Sequence, residues 1–222
     1  MPPDDVFLAR AVVVGSALVY WAGVLVQARR IRRHIGRSPN VRPRGPKEKL
    51  LWVGWVLVVV VWLALPFLAG SRAPSTWLRL IPALLHPVGL ALGILMTVAG
   101  YAGTLWCYAA MGDMWRMGVD RNEKTLLVRR GPYRFVRHPI YLFQVVMLVG
   151  VALQLPTPLS LVVLVVHFVC VLLKASDEES HLLTVHGQEY RDYCSVAGRL
   201  FPKWPSRSGS RCSAHPDDGT TR

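Results

Sequence analysis

The stretch "RRGPYRFVRHPIYLFQVVMLVGVAL" (129–153) joins two opposed compositions. Its first half carries Arg129, Arg130, Arg134 and Arg137, together with Pro132, His138 and Pro139. Its second half is an apolar run of the kind that belongs in a bilayer. A fold that accounts for this junction must set a basic turn at the start of a membrane helix.

The rest of the chain repeats the contrast. Its 222 residues are 52% hydrophobic, yet the formal charge is +13. A soluble basic protein would interleave apolar and polar residues, whereas here the apolar ones come in blocks. Residues 6–27 and 50–70 are each long enough to cross the hydrocarbon core, which takes about 20 helical residues. A third block runs from about Pro82 to Met111, and two short ones cover Ile140 to Leu155 and Leu159 to Leu173. "PTP" (156–158) separates the short pair, which reads as a helical hairpin. In lipid each backbone group must be bonded within its own segment, so the blocks read as helices. The expected fold is an all-α integral membrane protein of about five transmembrane helices, the last two a hairpin, with a cytoplasmic C-terminal helical segment. The first block is no cleavable signal: it lacks a basic n-region, its first charges are Asp4 and Asp5, and the apolar run is too long.

Charge supplies an orientation. Residues 28–49 carry nine Lys/Arg, residues 112–139 carry seven, and residues 174–222 carry seven of the chain's 26. Five spans put all three basic segments on one face, which the positive-inside rule makes cytoplasmic, with the N-terminus outside. Four or six spans would divide them. The basic charge is thereby topological, and attraction to anionic headgroups follows from it. No basic helix face or aromatic platform suggests nucleic acid. No CxxC or Cys/His spacing suggests a metal. The organisation expected is residues 1–111 as N-terminal spans with a basic loop, 112–204 as a cofactor-binding region, and 205–222 as a polar, disordered tail.

Ionisable groups at membrane depth suggest function. One cluster is "TLLVRRGPYRFVRHPIY" (125–141), where Pro139 suits the first turn of a helix and the helix N-terminus can face an anion. The other is "KASDEESHLLTVHGQEYRDY" (174–193). There Ser176 and Glu179 fit a capping box, which would leave Glu178 free. Gly187 is a helix stop, and His181 and His186 read as surface or packing residues. The hairpin brings both clusters to one mouth.

These residues carry a resemblance. Arg137–His138–Pro139–Ile140–Tyr141, then Glu178–Glu179 with Leu182, then Gly187, Tyr190 and Tyr193, are similar to the isoprenylcysteine carboxyl methyltransferase and phospholipid methyltransferase superfamily of membrane enzymes. The likeness covers roughly residues 112–204. It implies S-adenosylmethionine as cofactor, held by Thr125, Leu126, Leu127, Val128, Tyr133, His138, Pro139, Ile140, Tyr141 and Glu178. It implies catalytic roles for Arg137 and Glu178, and a substrate role for Lys174, where the prenylcysteine enzymes have arginine. The implied partners are the lipid bilayer and a small or lipophilic methyl acceptor bearing a thiol, carboxylate or amine. Phe143 and His186 also depart from the family pattern. A nicotinamide-dependent membrane reductase of steroid-reductase type shares features of this half, but Ile140 and Phe143–Gln144 do not match it. A non-catalytic membrane scaffold is the third reading. Within the basic stretch, Arg129, Arg130 and Arg134 are expected on lipid headgroups, and Arg137 and His138 in the pocket.

Overall fold

The computed structural model describes residues 3–35, 45–70, 73, 75–112 and 127–203. The described residues form six α-helices and no β-strand: α1 (Pro3–Ile35), α2 (Pro46–Leu68), α3 (Pro87–Met111), α4 (Pro139–Gln154), α5 (Pro158–His186) and α6 (Gln188–Val196). Four of them, α1, α2, α3 and α5, are long and apolar enough to cross a membrane, and α4 is a shorter apolar helix. The chain is thus a multi-pass membrane protein whose lipid is its first partner. The expected tail at 205–222 lies outside the described residues.

Local chemistry sets the helix ends. Proline occupies the first turn of α2, α3, α4 and α5, where its missing N–H is no loss. Thr157 and Ser160 form a reciprocal capping box that starts α5, each side chain taking the other's backbone N–H at 3.0 Å. Gly112 closes α3 at φ 55°, and Gly187 closes α5 at φ 53° as expected.

Three expectations need correction. The third block does not turn helical at Pro82. Residues Pro82–Leu84 make one 3-10 turn, and α3 starts at Pro87, because proline there and the His86 ring, which accepts from the Val88 N–H, restart the helix. The fifth span does not stop near Leu173: α5 runs unbroken to His186, since nothing between Lys174 and His186 interrupts the i→i−4 ladder. It follows that Ser176 and Glu179 lie inside a helix, and the proposed capping box between them does not exist.

Contacts fix the bundle's ends. Gln27 of α1 donates to the Gly112 carbonyl at 3.2 Å, and Lys47 of α2 pairs with Asp177 of α5 at 2.6 Å. The end of α1, the start of α2 and the ends of α3 and α5 therefore converge, next to the start of α4. At the opposite end Arg10 donates to the Ala69 carbonyl at 2.6 Å. The tightest packing joins α3 to α4. A Cβ at Gly100 would lie 2.7 Å from the Phe143 carbonyl oxygen, and one at Gly150 would lie 2.6 Å from the Gly93 carbonyl oxygen. Lipid tails are as apolar as the helices, so such close approach by small residues is what draws membrane helices together.

A methyl added at that interface should therefore be felt. Gly150→Ala should cost about 1–3 kcal/mol, read as a lower thermal midpoint in detergent. Gly15→Ala, whose added Cβ meets nothing within 4 Å, should leave the midpoint unchanged or raise it.

Candidate active site at the mouth of the hairpin

The loop that enters α4 is shaped from both sides. Gly131 adopts φ 60°, and a Cβ there would lie 2.9 Å from the Ala110 Cβ, so the loop presses directly on α3. Arg130 Nε donates to the Ala110 carbonyl at 2.8 Å. Residues Gly131–Arg134 form a 3-10 turn that buries Tyr133 against Cys107 and Ala110. The next residues pair with the chain after α6. Gly198 N–H donates to the Phe135 carbonyl at 3.1 Å, Arg137 N–H to that of Gly198 at 2.7 Å, and His138 N–H to that of Arg199 at 3.1 Å. Residues 197–200 are thus a strap across the loop. A Cβ on Gly198 would lie 1.7 Å from the Phe201 carbonyl oxygen, so only glycine permits the turn that follows.

The strap and loop enclose two carboxylates. Glu179 has only 4% of its side chain exposed. Its Oε1 accepts from Arg137 Nε at 2.9 Å and Oε2 from Arg199 at 2.6 and 3.1 Å. Glu178, one residue earlier and so about 100° around the helix, keeps 22% exposure. Its Oε1 accepts from the Tyr141 hydroxyl at 2.5 Å. His138 stands between them, with Nδ1 3.4 Å from Glu178 Oε2 and Nε2 3.3 Å from Glu179 Oε1. An imidazole that donates at both nitrogens is an imidazolium. Burial pulls His138 towards the neutral form, but hydrogen bonds and charge from Glu178 and Glu179 outweigh it and raise its pKa above the ordinary value. The Tyr141 ring stacks on His138 at 5.7 Å, and Lys174 Nζ lies 5.9 Å from the centre of the Tyr141 ring.

The structure brings Arg137, His138, Tyr141, Lys174 and Glu178 together. Pro139 opens α4 beside them, and Ile140 packs with Tyr133 and Val128 against α3. Leu127 sits apart, on the cluster of Tyr190, Tyr193 and Cys194. Thr125 and Leu126 lie outside the described residues. The three arginines expected on headgroups are exposed and also make protein contacts. Arg129 pairs with Glu189 at 3.0 Å, Arg130 holds α3, and Arg134 lies over the Phe135 ring, 5.0 Å from its centre. His186 lies 3.7 Å from a Glu189 oxygen. Phe143 fills the space over Gly103 of α3, where a Cβ would be 2.3 Å from its ring.

Two members of the cluster escaped sequence reasoning. Glu179 was explained by a cap that does not form, although its four-residue spacing from Val171 and Ala175 marks the inward stripe of α5. Arg199 left no signal, because the strap that delivers it is a long-range pairing.

Comparison with known proteins identifies a family. Residues 88–189 match the model of a family described as phospholipid methyltransferase. The matched span opens in the first turn of α3 and closes at the start of α6, so it holds the loop, the hairpin and both carboxylates. A nickel-cobalt-cadmium resistance protein, NccN, of Alcaligenes xylosoxydans xylosoxydans is 30% identical over 174 residues, which cover 77% of this chain and 75% of that protein. A cobalt-zinc-cadmium resistance protein, CzcN, of Cupriavidus metallidurans is 25% identical over 149 residues, covering 67% of this chain and 62% of that protein. Among the described residues no group of three or more His, Cys, Asp or Glu could hold a metal ion.

The charge state of His138 has a measurable signature. A histidine whose folded pKa is raised contributes stability that is fully present below its unfolded value of about 6.5 and is lost as pH rises through the folded value. The gap in thermal midpoint between the native protein and His138→Gln should be widest near pH 6 and shrink towards pH 9. A gap that widens with pH would show a neutral His138.

Proposed function

The chain belongs to the phospholipid methyltransferase family of integral-membrane methyltransferases, and from that premise we propose that it moves a methyl group from S-adenosylmethionine to a small or lipophilic acceptor. The observation that carries the reading is the pairing of Glu178, whose side chain keeps 22% exposure, with the start of α4. The cofactor joins an ammonium and a sulfonium to a carboxylate, and the mouth offers the complement of each. Glu178 can offset the positive groups. The first turn of α4 has free N–H groups and the positive end of its dipole for the carboxylate.

Bound there, the cofactor would supply an electrophilic methyl, which the acceptor's lone pair would take as the carbon–sulfur bond broke, with that electron pair staying on sulfur and the acceptor's proton leaving to solvent. The protein's share is positioning and exclusion of water. Tyr141 and His138 hold Glu178 in place. Arg137 is a positioning residue, because its guanidinium is taken up by Glu179 and the Ala197 carbonyl. Lys174, above the Tyr141 ring, is placed to meet an anionic group of the acceptor. Val128, Tyr133 and Ile140 close the site towards α3.

The same reading gives a topology. From the converging ends of α1, α2, α3, α4 and α5 and the positive-inside rule we infer that the mouth and the C-terminus are cytoplasmic and the N-terminus outside. The fifth span would be α4: its 16 residues rise about 24 Å, short of a hydrocarbon core of about 30 Å, so spanning would ask the bilayer to thin or the loop to dip at this point.

Two substitutions separate cofactor binding from folding. Glu178→Gln should weaken S-adenosylmethionine binding, measured by calorimetry, by roughly 1.5–3 kcal/mol, about one to two decades, with a near-native midpoint. Glu179→Gln should destabilise by about 3–5 kcal/mol, because it strands the buried Arg137 and His138 charges. A native protein that binds a nicotinamide cofactor and no S-adenosylmethionine would defeat the reading.

A further inference from the structure

The outer side of the strap carries a patch for which the site has no use. Among the described residues, Phe135, Val196 and Phe201 are large apolar side chains left 48%, 68% and 66% exposed. The other exposed large apolar side chains lie on α1, α2, α3, α5 or the turns between α2 and α3, where a spanning bundle meets lipid or its boundary. These three stand outside the spans, at the mouth. Their backbones converge on Gly198. Its N–H donates to the Phe135 carbonyl at 3.1 Å, a Cβ on it would strike the Phe201 carbonyl oxygen, and Val196 comes two residues before it. Val136, Ala197 and Leu200 of the same segments are buried, which leaves Phe135, Val196 and Phe201 on the outer side.

A concentrated apolar patch on a rim of charge marks an interaction surface. Charge says which kind. Residues 127–138 and 187–203, which make the loop, α6 and the strap, hold seven Lys/Arg against two Asp/Glu. Arg134 is exposed and lies 5.0 Å over the Phe135 ring, so a cation and an apolar face stand side by side. Arg130 is exposed on the same loop. Apolar side chains among arginines are what an element lying at the boundary of headgroups and acyl chains presents to an anionic leaflet. The length of α4 points the same way. It begins at Pro139, directly after the loop, and its 16 residues leave about 6 Å of a hydrocarbon core of about 30 Å unspanned. Interfacial elements sink roughly 5–10 Å, so a loop and strap at that depth close the gap.

We propose that Phe135, Val196 and Phe201 dock the strap side of the mouth into the anionic leaflet where α4 begins, with Arg130 and Arg134 among its phosphates. The mouth then opens at headgroup level and not above the membrane. This surface is separate from the spans. It asks nothing of the reaction, so it stands or falls apart from the methyltransferase reading.

The test uses the full chain in vesicles of phosphatidylcholine alone and of an equal mixture with phosphatidylglycerol. The photoreactive residue p-benzoylphenylalanine, which couples to nearby C–H bonds under light, replaces Phe201. As a control it replaces Arg191, which is exposed and about 140° round α6 from Val196. Mass spectrometry of the irradiated protein reads the adducts, and a native unfolding midpoint in detergent shows that each probe leaves the fold intact. In the mixed vesicles the probe at 201 should give about fivefold or more phospholipid adduct than the probe at 191, as a group sunk in the boundary must. Adding Arg134→Gln should lower that yield by up to about fivefold at low salt, the factor that one basic residue is worth near a charged surface. A probe at Phe135 gives the same reading if the one at 201 disturbs the fold. An adduct to a second copy of the chain in place of lipid would make the patch a protein interface and overturn the inference. A yield at 201 no higher than at 191 leaves the patch in water and overturns it too. Equal yields in neutral and anionic vesicles would remove the anionic leaflet as the partner, with the same result.

Discussion

The Glu179 carboxylate, buried among Arg137, Arg199 and His138, is the contact on which the mouth of this protein depends. It joins three stretches that are remote in sequence: the end of α5, the loop before α4 and the strap after α6. Each ion alone would be expensive to remove from water, and together they stay charged because every oxygen of the carboxylate is answered. Arg137 and His138 also spend their backbone N–H groups on the strap, so side chains and main chain close the same gap. A carboxylate there thus fixes the position of a loop that has little regular structure of its own.

That constraint divides two adjacent acids. One residue on a helix is a rotation of about 100°, so Glu178 and Glu179 cannot face the same way. Glu179 turns to the strap and is fully engaged, while Glu178 turns towards Tyr141 and the open side. The histidine between them contacts both, so the structural acid bears on the orientation of Glu178 through a shared imidazole. In the proposed reaction this matters because methyl transfer asks for placement more than for proton movement.

The platform beneath is built by a different force. Helices α3 and α4 approach through Gly93, Gly100, Gly103 and Gly150, and Phe143 occupies the room that Gly103 leaves. Thr97 and Thr104 return their hydroxyls to the carbonyls of Gly93 and Gly100, and the Gln154 amide nitrogen donates to the Thr97 hydroxyl, so these groups are paired within the interface. Contact at this range holds the start of α4 against α3, and Gly131 and Arg130 extend it into the loop. The rigidity needed to place Tyr141 and His138 comes from that packing, with the bilayer supplying none of it.

Much of this was legible in the residues themselves. Apolar blocks in lipid can only be helices, so the all-helical fold followed from composition and length. Proline at 139 and 158 and glycine at 187 set helix ends by backbone geometry that no tertiary contact overrides. The hairpin brought the basic turn and the acidic pair to one mouth, as its short connection requires. What the sequence could not decide was which partner each charge takes. Ser176 and Glu179 match a cap locally, but a cap needs a helix to begin there, and α5 was already under way. Arg199 reached the cluster only because Gly198 lets the strap turn back, a pairing with no local pattern to announce it. Spacing along a chain governs what neighbours within one helix can do. The pairing of buried charges is settled by desolvation, which exists only once the whole structure has excluded water.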